Sequence, residues 1–290
     1  MNLRWPVVAT VMLLLAGCAP APAPTPTPGS SPAGSSSPTA PAPTASPAEP
    51  TPTVTPASTD PGPVYFVVET TRGFRLTRES RPGAADVRGA LEAMITGPED
   101  GDYVSSWPTD TRVLSVERSD DVVRVDLSGE ARGANVGASA EEAMVRQLVW
   151  TVTEATDPQA AVLATIEGEP ASWGHLVWDG PLRREDPLDV RLLVGIDSPA
   201  DGETVRSPVR ASGEANVFEA NLPWRLTTPD GAVVQDGFTT TSEGQTFAPW
   251  ELTLTLPPGT YVLEVHDSDP SGGESTRPAD RDTRTFTVAG

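Results

Sequence analysis

The composition of the chain changes sharply near residue 63. From residue 19 to residue 63 the sequence consists almost only of Ala, Pro, Ser, Thr and Gly. Such a stretch has too few large apolar side chains to offset the entropy that is lost when a backbone is ordered. Folded structure is therefore expected only in the remaining part, which is long enough for two domains of ordinary size.

The residues before this stretch have the pattern of a secretory signal. Arg4 supplies a positive charge, residues 6–15 form an apolar run too short to span a bilayer, and small residues precede Cys18. An ordinary signal peptide ending near a cysteine would give a similar pattern. The order Leu-Ala-Gly-Cys resembles the lipobox of bacterial lipoproteins, which implies that residues 1–17 are removed as a signal peptide and that Cys18 is acylated.

This resemblance implies a membrane contact through an N-terminal lipid anchor, on the extracytoplasmic face of the cell membrane. Residues 18–63 would then form a disordered Pro/Ser/Thr/Ala-rich linker between the lipid and the folded part. The formal net charge of −20 restricts other partners, because an acidic surface repels phosphate polymers, and we expect no binding to nucleic acid. With one cysteine, the folded part has no internal disulfide.

The first predicted domain, residues 64–184, alternates strand and helix signals. Residues 64–69 and 74–79 are predicted as two short strands, residues 113–127 as a hairpin and residues 160–168 as a last buried strand. A first helix is predicted from apolar residues at helical spacing, ahead of a Gly-Pro stop signal. These apolar residues are Val87, Leu91, Met94 and Ile95, and the stop signal is Gly97-Pro98.

The second helix of this domain has a start signal of its own. Ser139 and Glu142 match the S-x-x-E capping box, and an apolar stripe follows. The stripe consists of Met144, Leu148, Val152 and Ala155. The order strand, strand, helix, hairpin, helix, strand predicts an α+β fold in which two helices cover one face of a sheet.

Four stretches of this domain form a combined pattern: ALEAMITGP, TRVLSVERSDDVVRVDLSGEA, MVRQLVWTVTEA and LATIEGE. Together they resemble the GerMN domain, which is named from spore-germination proteins and also occurs in other extracytoplasmic bacterial lipoproteins. The resemblance implies a role in assembly or partner binding in the cell envelope. It provides no catalytic assignment that could be transferred to residues of this chain.

The second predicted domain, residues 190–290, has the pattern of an all-β fold. In LTLTLPPGTYVLEV, Leu and Val alternate with Thr and Glu, as in strands with one buried face. About seven short strands, separated by turns such as TPDG and PPGT and without a helix signal, indicate an immunoglobulin-like sandwich that lacks the disulfide. This region resembles the immunoglobulin-like module that accompanies GerMN domains in germination-associated proteins.

Few residues suggest catalysis. Ser172, His175 and Asp179 could form a hydrolase triad, but they lie on one short strand-like stretch, SWGHLVWD, without a nucleophile elbow or an oxyanion loop. Glu167 and Glu169 could act as glycosidase carboxylates, although no partner position across a cleft is indicated. We therefore expect no catalytic residues, and an extracytoplasmic hydrolase is the less favoured alternative.

A calcium loop is a second candidate site. Asp267, Asp269 and Ser271 occupy its first, third and fifth positions, and a glycine follows at the sixth. The twelfth position is Pro278, where a bidentate Glu is needed, so a solvated acidic hairpin loop is favoured over a metal site. No cofactor is expected.

Four tryptophans could form an aromatic platform for a glycan: Trp107, Trp173, Trp224 and Trp250. Tryptophan is also a common core residue, and packing is the favoured interpretation. The sequence thus predicts a cell-envelope lipoprotein that acts as a non-catalytic binding or scaffold protein, with an envelope protein or peptidoglycan as its partner. Complexes for spore germination, wall assembly or envelope signalling all fit, and wall-glycan binding is the main alternative.

Overall fold

The computed structural model describes residues 59–173, 175–267 and 278–290. Cys18, the signal peptide, most of the linker, Asp269 and Ser271 lie outside the described residues. All described residues fall within one compact unit, residues 54–290. This unit contains two separate large hydrophobic cores, one for an α+β module and one for a sandwich module.

The α+β module contains a five-stranded sheet in the order β3-β4-β5-β6-β7 and a separate hairpin, β1-β2. Only β4 and β5 pair in parallel, and the other neighbours are antiparallel. The elements are β1 (Gly62–Thr70), β2 (Gly73–Arg81), α1 (Val87–Thr96), β3 (Val113–Ser119), β4 (Val122–Leu127), a 3₁₀ helix (Gly129–Gly133), α2 (Ala138–Glu154), β5 (Ala161–Ile166), β6 (Glu169–Trp173) and β7 (Leu176–Trp178).

Helix α1 begins and ends where local chemistry predicts. The Asp86 side chain accepts a hydrogen bond from the Gly89 amide (2.9 Å) and thereby caps the first turn. The helix ends at Gly97, whose φ of 100° lies in the region that glycine tolerates best. Its four predicted apolar residues are all buried, which confirms the predicted stripe.

The predicted capping box of α2 is wrong. The N-cap is Gly137, whose carbonyl accepts hydrogen bonds from the Ala140 and Glu141 amides. Ser139 therefore lies inside the first turn, and Glu142 pairs instead with Arg146 one turn later (3.9 Å). The helix starts at Ala138, two residues earlier than a cap at Ser139 would place it, and Ala138 is a strong helix former.

Both helices pack on the buried face of the sheet, as predicted. The alternating residues of β4 and β5 that point to this core are Val123, Val125, Leu127, Val162, Ala164 and Ile166. Hairpin β1-β2 was expected to join the sheet, but it packs on α2 instead. Gln147 Nε2 donates to the Tyr65 carbonyl (3.0 Å) and Thr151 Oγ1 accepts from the Tyr65 amide (3.2 Å), so α2 side chains replace a neighbouring strand at this residue.

The segment after β7 contains a short helix, α3 (Pro187–Val190), and leads into the sandwich module. Two sheets form this module, in the orders β13-β10-β8 and β12-β11-β14-β15-β9. The strands are β8 (Val194–Ser198), β9 (Thr204–Val205), β10 (Val209–Ala215), β11 (Asn221–Thr227), β12 (Val233–Thr240), β13 (Ala248–Leu254), β14 (Gly259–His266) and β15 (Arg281–Val288), with a 3₁₀ helix at Phe218–Ala220.

This architecture confirms the predicted immunoglobulin-like sandwich, with one strand more than the sequence indicated. The additional strand is β9, which has two residues and pairs in parallel with the end of β15. Gly213 is required by a close approach, because a Cβ atom there would lie 1.9 Å from the Gly195 carbonyl oxygen and 3.0 Å from the Trp250 ring. No helix among the described residues is both long and apolar enough to cross a membrane.

Candidate functional site at the junction of the two modules

The proposed aromatic platform is not formed by Trp107 and Trp250. Trp107 is 3% exposed in the first core, and Trp250 is 2% exposed in the second. Trp250 donates its indole N–H to the Gly195 carbonyl (3.1 Å), which fixes the ring inside the sandwich. Trp224 is half-buried, and the side chain of Trp173 lies outside the described part of the chain. For Trp107 and Trp250 the favoured interpretation, packing, is the one observed.

The three residues of the proposed triad lie on a hairpin rather than on a single strand. Ser172 is in β6, His175 is in the turn, and Asp179 follows β7. His175 is 72% exposed, and both its amide (3.1 Å) and its Nδ1 (3.5 Å) lie near the carboxylate of Glu141. The imidazole therefore has a carboxylate from α2 beside it, and within the described residues it has no hydrogen bond to Ser172 or Asp179.

The remaining candidates are dispersed. Glu167 is exposed and pairs with Arg132 (3.3 Å), and Glu169 is exposed at the start of β6. Asp267 is buried, and its amide donates to the Asp280 carbonyl (3.0 Å). Its two predicted companions in a calcium loop are outside the described residues. Within residues 59–173, 175–267 and 278–290, no group of three His, Cys, Asp or Glu residues could hold a metal ion.

The two modules meet through buried polar groups that the sequence analysis did not single out. We call Asp100, Tyr103, Asp282 and Arg284 the junction cluster. Arg284 on β15 is 2% exposed, and its Nη1 donates to Asp100 Oδ2 (2.6 Å) and to the Tyr103 hydroxyl (2.7 Å) of the α+β module. Its Nη2 donates to the Ile196 carbonyl on β8 (2.8 Å). One guanidinium thus joins both sheets of the sandwich to the other module.

Asp282 completes the junction cluster. Its Oδ1 accepts from the Tyr103 hydroxyl (2.5 Å), and its Oδ2 accepts from the Ile196 amide (2.7 Å). Charge-assisted hydrogen bonds of this kind are stronger than neutral ones, and a buried charge must be compensated in this way. The cluster therefore holds two carboxylates and one guanidinium in a fixed arrangement.

Burial and neighbouring charges shift the pKa values of the residues in the junction cluster. Burial raises the pKa of Asp100 to about 6, against the lowering effect of its bond from the Asp102 amide and of nearby Arg284. Burial also raises the pKa of Asp282 and, together with the charge of Asp282, that of Tyr103. For Arg284, burial lowers the pKa, but the charge of Asp282 and the other neighbours outweighs it, so the pKa is raised. Arg284 is thus a permanent cation, whereas Asp100 titrates in a mildly acidic range.

A second set of ion pairs joins the modules at another point. Arg78 on β2 donates from Nε (2.8 Å) and Nη2 (2.6 Å) to the two carboxylate oxygens of Asp197 on β8, a bidentate arrangement. Its Nη1 also lies 3.0 Å from Glu214, which accepts from Arg191 Nη2 (3.0 Å). The Arg191 guanidinium stacks on the Phe247 ring at 4.0 Å. Two separated contacts oppose rotation of one module against the other.

A cleft of about 670 Å³ lies beside the junction cluster and is lined by both modules. Five carboxylates and one guanidinium line it, together with His266 and the threonines 70, 71 and 283. Asp102 accepts from the Thr283 hydroxyl (2.9 Å), and Asp280 pairs with Arg72. The lining residues with acidic side chains are Glu69, Asp102, Glu264, Asp280 and Asp282.

One sequence signal could have identified part of this site. In DTRTFTV, Asp282 and Arg284 occupy the same alternating positions as Phe286 and Val288, so the pattern places charged residues on the buried face of a strand. Charges at such positions indicate a compensating partner. The partners Asp100 and Tyr103 had no such signal, because they lie in an irregular segment about which the local pattern says nothing.

Two family models match the chain. Residues 63–172 match the Germane family, described as "Sporulation and spore germination". Residues 193–274 match the Gmad2 family, described as "Immunoglobulin-like domain of bacterial spore germination". The comparison with curated proteins found no match.

Solved structures provide further likenesses. The tandem GerMN domains of the sporulation protein GerM from Bacillus subtilis are 18% identical, with a TM-score of 0.36, over 44% of this chain and 45% of that chain. The chain thus spans less than half of that tandem structure. The first GerMN domain of the same protein is 20% identical, with a TM-score of 0.31, over 43% of this chain and 94% of that chain.

The two family matches confirm both resemblances given by the domain patterns, in the expected order along the sequence. By these matches, the chain carries a domain of the sporulation and spore germination family followed by an immunoglobulin-like domain of bacterial spore germination.

Proposed function

We propose that this protein is a lipid-anchored, non-catalytic binding protein of the cell envelope, which presents its two modules as one rigid unit to a protein partner. The observation that supports this most directly is the buried junction cluster. Desolvating a guanidinium that is 2% exposed costs free energy, and the bonds of Arg284 to both modules offset this cost while fixing the arrangement of the modules. A surface built from two fixed modules suits recognition of a partner.

The family descriptions support a context in sporulation or spore germination, and neither description names a reaction. The positions of the candidate catalytic residues agree with this, because His175 is exposed and is bonded to Glu141 rather than to Ser172 or Asp179. A wall-assembly or signalling complex in the envelope would use the same surface. Peptidoglycan binding through Trp107 and Trp250 is disfavoured by their burial.

The anchor in this proposal is Cys18, supported by the order Leu-Ala-Gly-Cys and by the Pro-rich stretch that follows it. Two or more acyl chains would hold the protein firmly on the extracytoplasmic face of the membrane. Substitution Cys18→Ser should release the protein from the membrane fraction. Mass spectrometry should find acyl chains on the mature N-terminal peptide, and an unmodified thiol there would contradict the anchor.

The binding role is tested by crosslinking in intact cells, followed by purification of the protein from detergent-solubilised envelope. We expect one protein partner to be recovered in a fixed ratio, and the ratio should fall in the variant Arg284→Ala, in which the modules lose their fixed arrangement. The exposed variant Arg210→Ala serves as the matched control. Recovery of no protein partner, with retention of the protein on isolated peptidoglycan, would contradict the proposal and favour glycan binding.

A further inference from the structure

The cleft beside the junction cluster has the size and the position of a ligand site, because such sites occur preferentially where two domains meet. We propose that the cleft binds a positively charged segment of the protein partner and places an Arg or Lys side chain between Glu69 and Glu264. This rests on the proposed function, since it assigns the binding surface of a protein that acts through a partner.

The charge of the lining selects a cation. Three of the five carboxylates have partners within the protein: Asp102 with Thr283, Asp280 with Arg72, and Asp282 with Arg284. Glu69 and Glu264 have no hydrogen bond and no ion pair among the described residues. They come from different modules, and they line the same cleft. Arg281 also lines the cleft, and Arg225 lies opposite Glu264 across the β11-β14 pair, but neither forms an ion pair with Glu69 or Glu264 within the described residues. Five carboxylates against one guanidinium leave the lining with excess negative charge, which a basic group of the ligand would complement.

The uncharged part of the lining selects the kind of cation. Val68, Leu192 and Pro278 line the cleft alongside the carboxylates. Arg and Lys side chains bury an aliphatic stem along apolar surface while the charged head reaches polar groups, so both parts of such a side chain find suitable neighbours here. A small inorganic cation has no aliphatic part that could pack on these apolar residues.

The two walls of the cleft are held in place before any ligand binds. Glu264 lies on β14, a strand with hydrogen-bonded neighbours on both sides. Glu69 lies on β1, next to the bridge between Val67 and Val104. The junction cluster connects the two walls through Tyr103 and Asp282, which themselves line the cleft. Preorganised walls lower the entropic cost of binding.

The direct test uses a hexa-arginine peptide as the probe and a hexa-citrulline peptide as its neutral counterpart of nearly the same shape. Affinity for the full chain, with Cys18 replaced by Ser, is measured by isothermal titration calorimetry. We expect the arginine peptide to bind and the citrulline peptide to bind at least tenfold more weakly. Backbone amide shifts in NMR spectra should change most at Glu69, Glu264 and Thr283.

The double variant Glu69→Gln/Glu264→Gln should weaken binding of the arginine peptide about fivefold to twentyfold, because each exposed ion pair accounts for about twofold to fivefold. The matched control is Glu117→Gln/Glu251→Gln, which also removes two negative charges, but from exposed positions on β3 and β13, one in each module. The control should weaken binding less than twofold. Equal weakening in both double variants would overturn the proposal, because the peptide would then bind the acidic surface as a whole.

The same variants separate this proposal from the proposed function. If crosslinking recovers a protein partner with the wild type and with Glu69→Gln/Glu264→Gln in equal amounts, the cleft proposal fails and the binding function stands. If the wild type recovers no protein partner at all, the proposed function itself fails. Recovery that is lost in the cleft variant and kept in the control variant supports both.

Discussion

One face of strand β15 buries charged side chains in its first half and apolar side chains in its second half. Phe286 and Val288 are part of the apolar core of the sandwich, whereas Asp282 and Arg284 on the same face are just as buried but charged. The apolar half needs only neighbours of suitable volume, and it finds them within its own module. The charged half needs partners of opposite charge and defined geometry, and it finds some of them in the other module. The residues that stabilise a module and those that orient its neighbour are thus separated along a single strand.

The largest effect is expected from the charged half. The variant Arg284→Ala leaves Asp100 and Asp282 buried without their cation, which should lower the free energy of unfolding by about 3–5 kcal/mol. Urea unfolding followed by circular dichroism measures the loss. The variant Arg210→Ala, at an exposed position on β10, should change it by less than about 0.5 kcal/mol. A similar small change for Arg284→Ala would show that the cluster does not stabilise the protein.

The pH dependence of stability should report on Asp100. Its pKa is raised to about 6 in the folded protein from an ordinary value of 3.8, so the folded state holds this proton more tightly than the unfolded state. The stabilisation that comes from the proton is fully present below pH 3.8 and is lost as the pH rises through about 6. At about 1.4 kcal/mol per pKa unit this contribution is at most about 3 kcal/mol, because residual solvent contact screens it.

The variant Asp100→Asn provides the control for this pH effect. It should remove most of the decline in unfolding free energy between pH 4 and pH 6, since the amide does not titrate. Unfolding in urea at several pH values gives the slope for both proteins. An unchanged slope in Asp100→Asn would assign the pH dependence to another group, of which Asp282 is the first candidate because its pKa is raised in the same direction.

A smaller effect is expected at the second contact between the modules. Arg78 pairs with Asp197 and Glu214 but is partly exposed. Its ion pairs should therefore stabilise the protein more than fully exposed pairs do and less than the buried pairs of Arg284. The variant Arg78→Ala should lower the free energy of unfolding by about 2 kcal/mol. High salt should narrow the difference between Arg78→Ala and the wild type more than it narrows the difference for Arg284→Ala, because exposed pairs are screened more strongly. The opposite order would contradict the assigned roles.

The smallest effect is expected in the apolar half of β15. The variant Phe286→Leu keeps an apolar side chain of similar volume and should cost only about 1 kcal/mol. The similar-sized change Arg284→Met in the charged half should cost several times more, since methionine cannot donate to Asp100 and Ile196. Equal losses for Phe286→Leu and Arg284→Met would remove the distinction between the two halves of the strand.

The elements that the sequence predicted correctly depend on local chemistry. The apolar spacing from Val87 to Ile95 and the stop at Gly97 are enough to define α1, since each residue acts on its own turn. Strands β1 and β2 could be predicted, but their separation from the sheet could not, because it depends on Gln147 and Thr151 of a helix far along the chain. The start of α2 was predicted wrongly because Ser139 matches the capping-box motif, whereas the N-cap is Gly137.

The candidate site shows the same division. The alternation in β15 indicates that Asp282 and Arg284 face a core, but it cannot indicate which residues compensate them. Asp100 and Arg284 are 184 positions apart, and only the docking of the two modules brings them together. The cleft next to them could not be predicted either, since Glu69 and Glu264 are ordinary exposed or half-buried acids in their own strands.

The most direct measurement of the central claim is the distance distribution between spin labels on the two modules, obtained by pulsed electron paramagnetic resonance. Labels at Glu117→Cys on β3 and Glu251→Cys on β13, in a chain with Cys18→Ser, report the arrangement of the modules without touching the junction. A single narrow distribution that broadens in Arg284→Ala is the predicted result. A broad distribution in the chain that keeps Arg284 would contradict the account, because the modules would then move independently despite the junction cluster.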